Sequence, residues 1–204
     1  MPLPCCLTIR SLIGLVIASA VAGVASSTAP PQAPPLANVD ILIIRHAEKP
    51  DAGKELSPAG VARANAYVRY FKSLKINGKA AHLDHIFATA ESKNSDRERL
   101  TVEPLAKSLG LVVDDRYKNK AYGALADDIR THRYGHELLI VWHHGNIPAL
   151  VSALQGDAPK LFPSGKWASD HFDWIVELHY DGLGRVQPNR TKLVHEHLMP
   201  GDAG

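Results

Sequence analysis

Two uninterrupted apolar runs, residues 41–44 and 138–142, constrain the fold of this chain more than any other feature. A strand that is apolar on both faces is typical of the middle of a parallel sheet covered by helices on both sides. Histidine follows both runs, with His46 after the first and His144 after the second. Because neighbouring strand ends of such a sheet open into one crevice, we expect these two side chains to meet there.

The rest of the chain alternates between strand and helix patterns, which indicates an α/β fold. We predict a three-layer sandwich in which helices flank a mostly parallel central sheet. Arg63 and Arg69 on the first helix are expected to face solvent. The polar segment 115–135 is either a lid or an ordinary crossover. Predicted strands are residues 40–44, 85–89, 111–113, 137–142, 173–178 and 192–195, and predicted helices are residues 58–74, 95–109, 124–130 and 147–154.

The N-terminal residues have the composition of an export signal followed by a linker. Arg10 precedes an uncharged, mostly apolar stretch over residues 11–25, which is short for a membrane span and rich in small residues. We predict a signal peptide or an uncleaved N-terminal anchor over residues 1–29, and a proline-rich linker over residues 30–38. The protein is therefore expected to be periplasmic or secreted, with membrane attachment only through an uncleaved N-terminal segment.

Composition excludes several classes of protein. The chain has 23 Lys and Arg against 21 Asp and Glu, so a net charge of +2 provides no global field for nucleic acid or a membrane surface. Cys5 and Cys6 precede the apolar stretch, so they would leave with the signal and no disulfide framework is expected. The remaining residues suit one domain, predicted over residues 39–200.

Arginine and histidine side by side at a strand end suit phosphoryl transfer. The guanidinium of Arg45 offers a planar fork for phosphate oxygens, and the imidazole of His46 can be a neutral nucleophile near physiological pH. Arg97 lies in the first turns of the helix predicted at 95–109, where free backbone amides and the helix dipole favour an anion. These residue types together indicate a phosphate site.

With these motifs in this order, the chain resembles the histidine phosphatase superfamily, which has the phosphoglycerate-mutase-like fold, across about residues 39–180. The matching segments are Arg45-His46-Ala47, Leu56-Ser57-Pro58-Ala59-Gly60, Arg97 with Thr101, Val102-Glu103-Pro104-Leu105-Ala106, and His144-Gly145. The predicted signal and the Arg-His-Ala-Glu form are similar to exported members such as lipopolysaccharide-core heptose phosphate phosphatases. The resemblance implies a phosphoric monoester hydrolase that acts on a small phosphorylated substrate, with no cofactor and no metal.

The resemblance also implies a role for each matching residue. His46 would attack phosphorus and form a phosphohistidine intermediate. Arg45, Arg97 and a protonated His144 would hold the phosphate oxygens, where electrostatic stabilisation does most of the work. Lys49 is expected to help bind an anionic substrate.

Two neighbours compete with these residues. His143 would point away from His144 on an extended strand, so we expect it to pack rather than to face the substrate. Arg99 is turned about 200° from Arg97 on a helix, so we expect it to be solvated or salt-bridged.

The sequence does not identify the general acid. Family members place a glutamate after the third strand or an aspartate directly after the second histidine, where this chain has Gly145. Glu48, Glu91, Asp127 and Asp128 are the open candidates, and His144 itself is another donor.

Three alternative functions stay open. The first is a phosphohistidine-protein or phosphoanhydride phosphatase, and the second is a catalytically weak phosphate-binding protein of the envelope, suggested by the missing acid. The third is a metal-storage protein built on the 11 histidines, with His195 and His197 on one strand face. A surface pair is the favoured interpretation of those two histidines.

Overall fold

The computed structural model describes residues 1, 2 and 33–202, which contain eight strands and five α-helices. In chain order these are β1 (Asp40–Arg45), α1 (Pro58–Ser73), β2 (Lys75–Ile76), β3 (Lys79–Ala80), β4 (His85–Thr89), α2 (Arg97–Leu109), β5 (Val113–Tyr117), α3 (Tyr122–Thr131), β6 (Glu137–Trp142), α4 (Ile147–Ala153), α5 (Ala158–Leu161), β7 (Trp174–His179) and β8 (Lys192–His195).

Six strands form one sheet in the order β5-β4-β6-β1-β7-β8, and β2 pairs with β3 in a separate hairpin. The first four strands of this order run parallel, whereas β7 is antiparallel to β1 and β8 is antiparallel to β7. Arg45 at the end of β1 lies opposite Trp142 at the end of β6. The next residue of each strand, His46 and His143, therefore leaves the sheet at the same level.

Helices cover both faces of the sheet, which confirms the predicted three-layer α/β architecture. Residues 41–44 of β1 are completely buried, and alternate side chains enter opposite layers. Leu42 and Ile44 pack with α1 and α2, whereas Ile41 and Ile43 pack with α3 and α4. Burial of each such side chain contributes about 1.5–3 kcal/mol, so β1 holds both helical layers against the sheet.

Local sequence signals fix the start of α1 and the end of α2, as predicted. The Ser57 side chain accepts a hydrogen bond from the Gly60 backbone N–H (3.1 Å), and Pro58 occupies the first helical position of α1. A Cβ on Gly60 would lie 2.4 Å from the Glu48 carbonyl oxygen, so α1 approaches the chain after β1 as closely as only glycine allows. Gly110 ends α2 in the left-handed conformation, with φ at 70°.

The segment 115–135 is an ordinary crossover rather than a lid. It continues β5, makes a 3-10 turn at residues 119–121 and forms α3, which leads into β6. The strand predicted at 111–113 lies at 113–117 instead, at the edge of the sheet. An edge strand tolerates polar residues, so the apolar pattern placed it too early.

Arg63 is buried rather than solvated, which corrects the prediction for this residue. It is 2% exposed and bonds three carboxylates, those of Glu48 (2.8 Å), Glu196 (2.7 Å) and Asp202 (3.2 Å). The carboxylates of Glu48 and Asp202 compensate a charge that is otherwise costly to bury, and the Glu196 carboxyl accepts a further hydrogen bond from it. Arg69 on the same helix is exposed, as predicted.

The packed domain begins slightly before the predicted start at residue 39. Leu36 and Ala37 are 5% and 2% exposed, so the end of the predicted linker 30–38 is part of the domain. The predicted signal or anchor at 1–29 lies outside the described residues, except for residues 1 and 2. No helix within the described part of the chain has the length and apolar character needed to span a membrane.

Candidate active site

His46 is held as a neutral imidazole directly after β1. The residue is 2% exposed, and its Nδ1 lies 2.7 Å from the Ala47 carbonyl oxygen. A carbonyl only accepts, so Nδ1 carries the proton and Nε2 keeps a free lone pair. Burial, together with the positive charges of Arg45 and Arg97, lowers the pKa of His46 to about 3. The imidazole is therefore unprotonated at neutral pH, as phosphoryl transfer to nitrogen requires.

Thr101 connects helix α2 to the segment that carries His46. Its buried hydroxyl accepts a hydrogen bond from the Ala47 backbone N–H (2.8 Å) and donates to the Arg97 carbonyl oxygen (2.7 Å). The Thr101 hydroxyl thus connects the first turn of α2 to the residue after His46 through two hydrogen bonds. This explains how an arginine fifty residues downstream is held beside the end of β1.

Arg45 contacts residues 169–172, the segment that precedes β7. One terminal nitrogen, Nη1, donates to the carbonyl oxygens of Ser169 (2.8 Å) and His171 (3.2 Å). The guanidinium carbon sits 3.8 Å from the centre of the Phe172 ring, a cation–π contact. Burial lowers the pKa of Arg45 to about 10, so the group stays charged at neutral pH.

Arg97 is held by backbone carbonyls instead of a carboxylate. Its Nη1 donates to Gly53 (3.1 Å) and its Nη2 donates to Asn94 (3.2 Å). The Nε–H groups of Arg97 and Arg45 are both buried and have no hydrogen-bond partner among the described residues. A buried donor without a partner costs about 1–3 kcal/mol, and more when it belongs to a charged group. Each of these two cations thus keeps one buried donor that a bound anion would satisfy.

Both histidines after β6 lie beside His46. The ring centroid of His46 is 5.8 Å from that of His143 and 6.1 Å from that of His144. The expectation that His143 points away assumed a continuing strand, but β6 ends at Trp142 and residues 144–146 form a 3-10 turn. The structure therefore places both rings beside His46, so the expectation that His143 points away from His144 is wrong.

The two rings face different cavities. His143 accepts a hydrogen bond at Nδ1 from the Gly145 backbone N–H (3.1 Å), which leaves its Nε2 as the donor in the neutral ring. It lines a cavity of about 660 Å³ together with Arg97, hereafter the Arg97 cavity. His144 lines a separate cavity of about 450 Å³ with Trp167, hereafter the Trp167 cavity.

The expected protonated state of His144 does not hold in the free protein. Burial and the charge of Arg45 lower the pKa of His144 to about 4. Burial also lowers the pKa of His143, although the nearby Glu98 carboxylate opposes this shift. Both rings are therefore neutral donors at pH 7 until an anion binds. A phosphate dianion would raise both pKa values, because an adjacent negative charge favours the imidazolium.

Three of the predicted general-acid candidates are engaged elsewhere. Glu48 binds Arg63, and Asp127 pairs with Arg130 on the exposed side of α3. The Asp128 carboxylate accepts hydrogen bonds from two tyrosine hydroxyls, those of Tyr117 and Tyr134. None of these three carboxylates lines the Arg97 cavity.

Two other glutamates do line the Arg97 cavity. Glu91, a predicted candidate, pairs with Lys54 at the rim. Glu98, which the sequence reasoning overlooked, is 2% exposed and accepts a hydrogen bond from the Ser95 hydroxyl (2.8 Å). Its position directly after Arg97, in the first turn of a helix predicted to face the site, was the signal available for it.

The remaining predicted residues lie around this centre. Lys49 is exposed, and its charge helps to lower the pKa values of His143 and His144, so its role in substrate binding stays a prediction. Arg99 forms salt bridges with two carboxylates of its own helical segment, as predicted.

His195 and His197, the pair considered as metal ligands, are exposed at the end of the sheet. The imidazole of His195 pairs with Asp173 (3.0 Å) and stacks on His197, with ring centroids 5.6 Å apart. Across residues 33–202, no three His, Cys, Asp or Glu side chains are grouped so that they would hold a metal ion.

Comparison with solved structures shows which fold this is. Phosphoglycerate mutase from Plasmodium falciparum matches with a TM-score of 0.51 and 16% identity, over 81% of this chain and 96% of that chain. The protein histidine phosphatase SixA, solved with tungstate, matches with a TM-score of 0.46 and 14% identity, over 73% of this chain and 93% of that chain. A mycobacterial glucosyl-3-phosphoglycerate phosphatase matches with a TM-score of 0.46 and 14% identity, over 79% of this chain and 99% of that chain.

No family model matches the sequence, and no curated protein matches it. The likeness to the mutase therefore shows the fold alone, and that fold is phosphoglycerate-mutase-like, as predicted.

Proposed function

We propose that this protein is a phosphoric monoester hydrolase that cleaves a small phosphomonoester through a phosphohistidine intermediate on His46. One observation carries the proposal. A buried neutral imidazole with a free Nε2 lies near two guanidinium groups, those of Arg45 and Arg97, whose buried Nε–H donors lack partners among the described residues. A tetrahedral dianion supplies what each of these groups needs.

The reaction has two displacements. The Nε2 lone pair of His46 attacks phosphorus, and the bond from phosphorus to the ester oxygen breaks with its electrons on the leaving alcohol. Water then attacks the phosphohistidine, the phosphorus–nitrogen bond breaks, and Nε2 regains its lone pair. The hydrogen bond from Nδ1 to Ala47 stabilises the positive charge that the ring carries in the intermediate.

Arg45 and Arg97 stabilise the transferring phosphoryl group. Positive charges fixed before the reaction stabilise the equatorial oxygens without reorganising, and this electrostatic effect usually contributes more to the rate enhancement than any other. His143 and His144 donate further hydrogen bonds, and each becomes a better donor once the bound dianion raises its pKa.

The leaving alcohol requires a proton, and Glu98 and Glu91 are the carboxyl groups that line the cavity beside Arg97 and His143. A general acid matters most for poor leaving groups. We expect the variant that removes the acid, Glu98→Gln or Glu91→Gln, to lose activity on an alkyl phosphate far more than on p-nitrophenyl phosphate. If both variants reduce both activities equally, neither glutamate is the acid.

The test of the whole proposal is turnover of p-nitrophenyl phosphate. We expect His46→Ala to abolish turnover and to prevent formation of an acid-labile phosphoenzyme. His82→Ala is the matched control, because this imidazole is 89% exposed and contacts none of the site residues described above. If the wild type binds phosphate without turnover, the alternative of a catalytically weak phosphate-binding protein is correct instead. Equal turnover by the wild type and His46→Ala would refute the proposal.

We propose that the enzyme works outside the cytoplasm, directed there by residues 1–29. The proposal is supported by the uncharged, mostly apolar stretch that follows Arg10. Fractionation of cells with mass analysis of the N-terminus distinguishes a cleaved soluble form from an uncleaved form in the membrane fraction. A full-length protein confined to the cytoplasm would contradict export. We propose sugar phosphates as the first substrates to screen, because the Arg-His-Ala-Glu form of the sequence resembles that of exported lipopolysaccharide heptose phosphate phosphatases.

A further inference from the structure

We propose that the Arg97 cavity binds the alcohol portion of the substrate and selects phosphomonoesters in which that portion carries a second anionic group. Lys118 and Lys120 are the residues that would recognise it. This inference rests on the proposed function, because it requires the phosphoryl group to be held between His46 and Arg97.

The position of the cavity supports this assignment. The lining contains Arg97 and His143 of the phosphate site together with residues 118–120. A phosphate held at Arg97 would therefore leave the remainder of its ester in this space. The volume of about 660 Å³ exceeds what phosphate alone requires and falls within the range of about 300–1,000 Å³ typical of small-molecule sites.

The lysine-bearing wall is fixed to the sheet. The backbone oxygen of Asn119 accepts a hydrogen bond from the indole N–H of Trp142 (3.0 Å), and its side-chain oxygen accepts one from the Asn146 amide (2.8 Å). Trp142 is completely buried at the end of β6. The two lysines on either side of Asn119 thus project from a backbone held at a constant distance from the histidines after that strand.

Unpaired cations outnumber unpaired carboxylates around the cavity. Its lining includes Arg97, Lys118 and Lys120 against Glu98 and Glu91, and Glu91 is already paired with Lys54. The ammonium groups of Lys118 and Lys120 make no salt bridge or hydrogen bond with the described residues, in contrast to Lys54, which is neutralised by Glu91 at the rim. Arg97 also has no carboxylate partner there. A carboxylate or second phosphate on the substrate would complement this uncompensated charge.

The experiment compares two matched substrates, phenyl phosphate and 4-carboxyphenyl phosphate. For each protein we take the ratio of the two kcat/KM values, which cancels changes common to both substrates. We expect the wild type to prefer the carboxylated ester, and the double variant Lys118→Met/Lys120→Met to reduce that preference about fivefold to tenfold, because contacts with exposed charges are individually weak. The wild-type preference should also fall with added salt.

Lys93→Met is the matched control, because this lysine is exposed in the neighbouring loop and does not line the cavity. It should leave the ratio unchanged. An unchanged ratio in the double variant would overturn the subsite. Calorimetric binding of the two esters to His46→Ala measures the same preference without turnover, so a failure of hydrolysis is distinguishable from a failure of the subsite.

Discussion

A substitution at Gly60 directly tests how closely α1 packs against the segment after β1. In Gly60→Ala the added Cβ would lie 2.4 Å from the Glu48 carbonyl oxygen and 3.0 Å from the Glu48 nitrogen. Both are backbone atoms, which cannot rotate aside. Ordinary contacts begin near 3.4 Å, so the helix and the loop must separate by roughly 1 Å.

The magnitude follows from two opposing effects. Overpacking typically costs about 1–3 kcal/mol, and a clash with backbone belongs at the upper end of that range. Alanine in a helix stabilises it relative to glycine by up to about 1 kcal/mol. We therefore expect Gly60→Ala to lower the free energy of unfolding by about 2 kcal/mol. The displaced Glu48 lies two residues after His46, so turnover of p-nitrophenyl phosphate should fall as well.

Gly123→Ala is the matched control for this prediction. Gly123 lies in the first turn of α3, and a Cβ there would meet no atom within 4 Å. The substitution keeps the helical gain without the clash, so it should stabilise the protein by up to about 1 kcal/mol. Urea unfolding of the wild type and both variants measures the two changes. A Gly60→Ala protein at least as stable as the wild type would refute the close-approach argument.

Three further outcomes are expected. Because the folded-state pKa of His46 is about 3, the unfolded chain gains a proton below about pH 6.5 that the folded chain does not, so stability falls with decreasing pH between these values. In urea unfolding, the free energy of unfolding of His46→Asn should fall less steeply with decreasing pH than that of the wild type, by up to about 1.4 kcal/mol per pH unit. Equal slopes in the two proteins would contradict a buried, neutral His46. Burial raises the pKa of Glu196 to about 8. The unfolded chain releases this proton near pH 4.5 and the folded chain only near pH 8, so the wild type loses stability as pH rises between these values. Glu196→Gln should therefore lose less stability between pH 5 and pH 8 than the wild type. Arg97→Lys should lower kcat/KM at least tenfold in steady-state assays. The reason is that a lysine ammonium cannot replace both the Nε–H donor and the hydrogen bonds to the Gly53 and Asn94 carbonyl oxygens. A smaller loss would count against the role of Arg97.

The central strands were predictable because burial on both faces leaves a continuous apolar pattern. The predicted strands 85–89 and 137–142 match β4 and β6, and both are inner strands of the sheet. The edge strand β5 was misplaced because solvent tolerates its polar residues. The hairpin of β2 and β3 was overlooked, although Asn77-Gly78, both with positive φ, form the two-residue turn typical of hairpins.

The placement of a site residue was predictable where it follows directly from a strand end. Arg45 and His46 belong to that class, because β1 alone delivers them to the edge of the sheet where β6 also ends. The relation of His143 to His144 was not predictable, because it depends on where β6 stops and on the hydrogen bond from Gly145. Burial of Arg63 depends on carboxylates far along the chain, and a helical pattern carries no information about them.

The cluster around Arg63 has a consequence for the order of events in folding. Its partners lie 15, 133 and 139 residues away in sequence, so only the Glu48 contact is local. Contacts that close long loops require most of the chain to be ordered first. We expect Asp202→Asn to speed unfolding while the refolding rate stays close to that of the wild type, because a contact formed after the rate-limiting step acts mainly on unfolding. This cluster would then determine how long a folded molecule persists, rather than how quickly it forms.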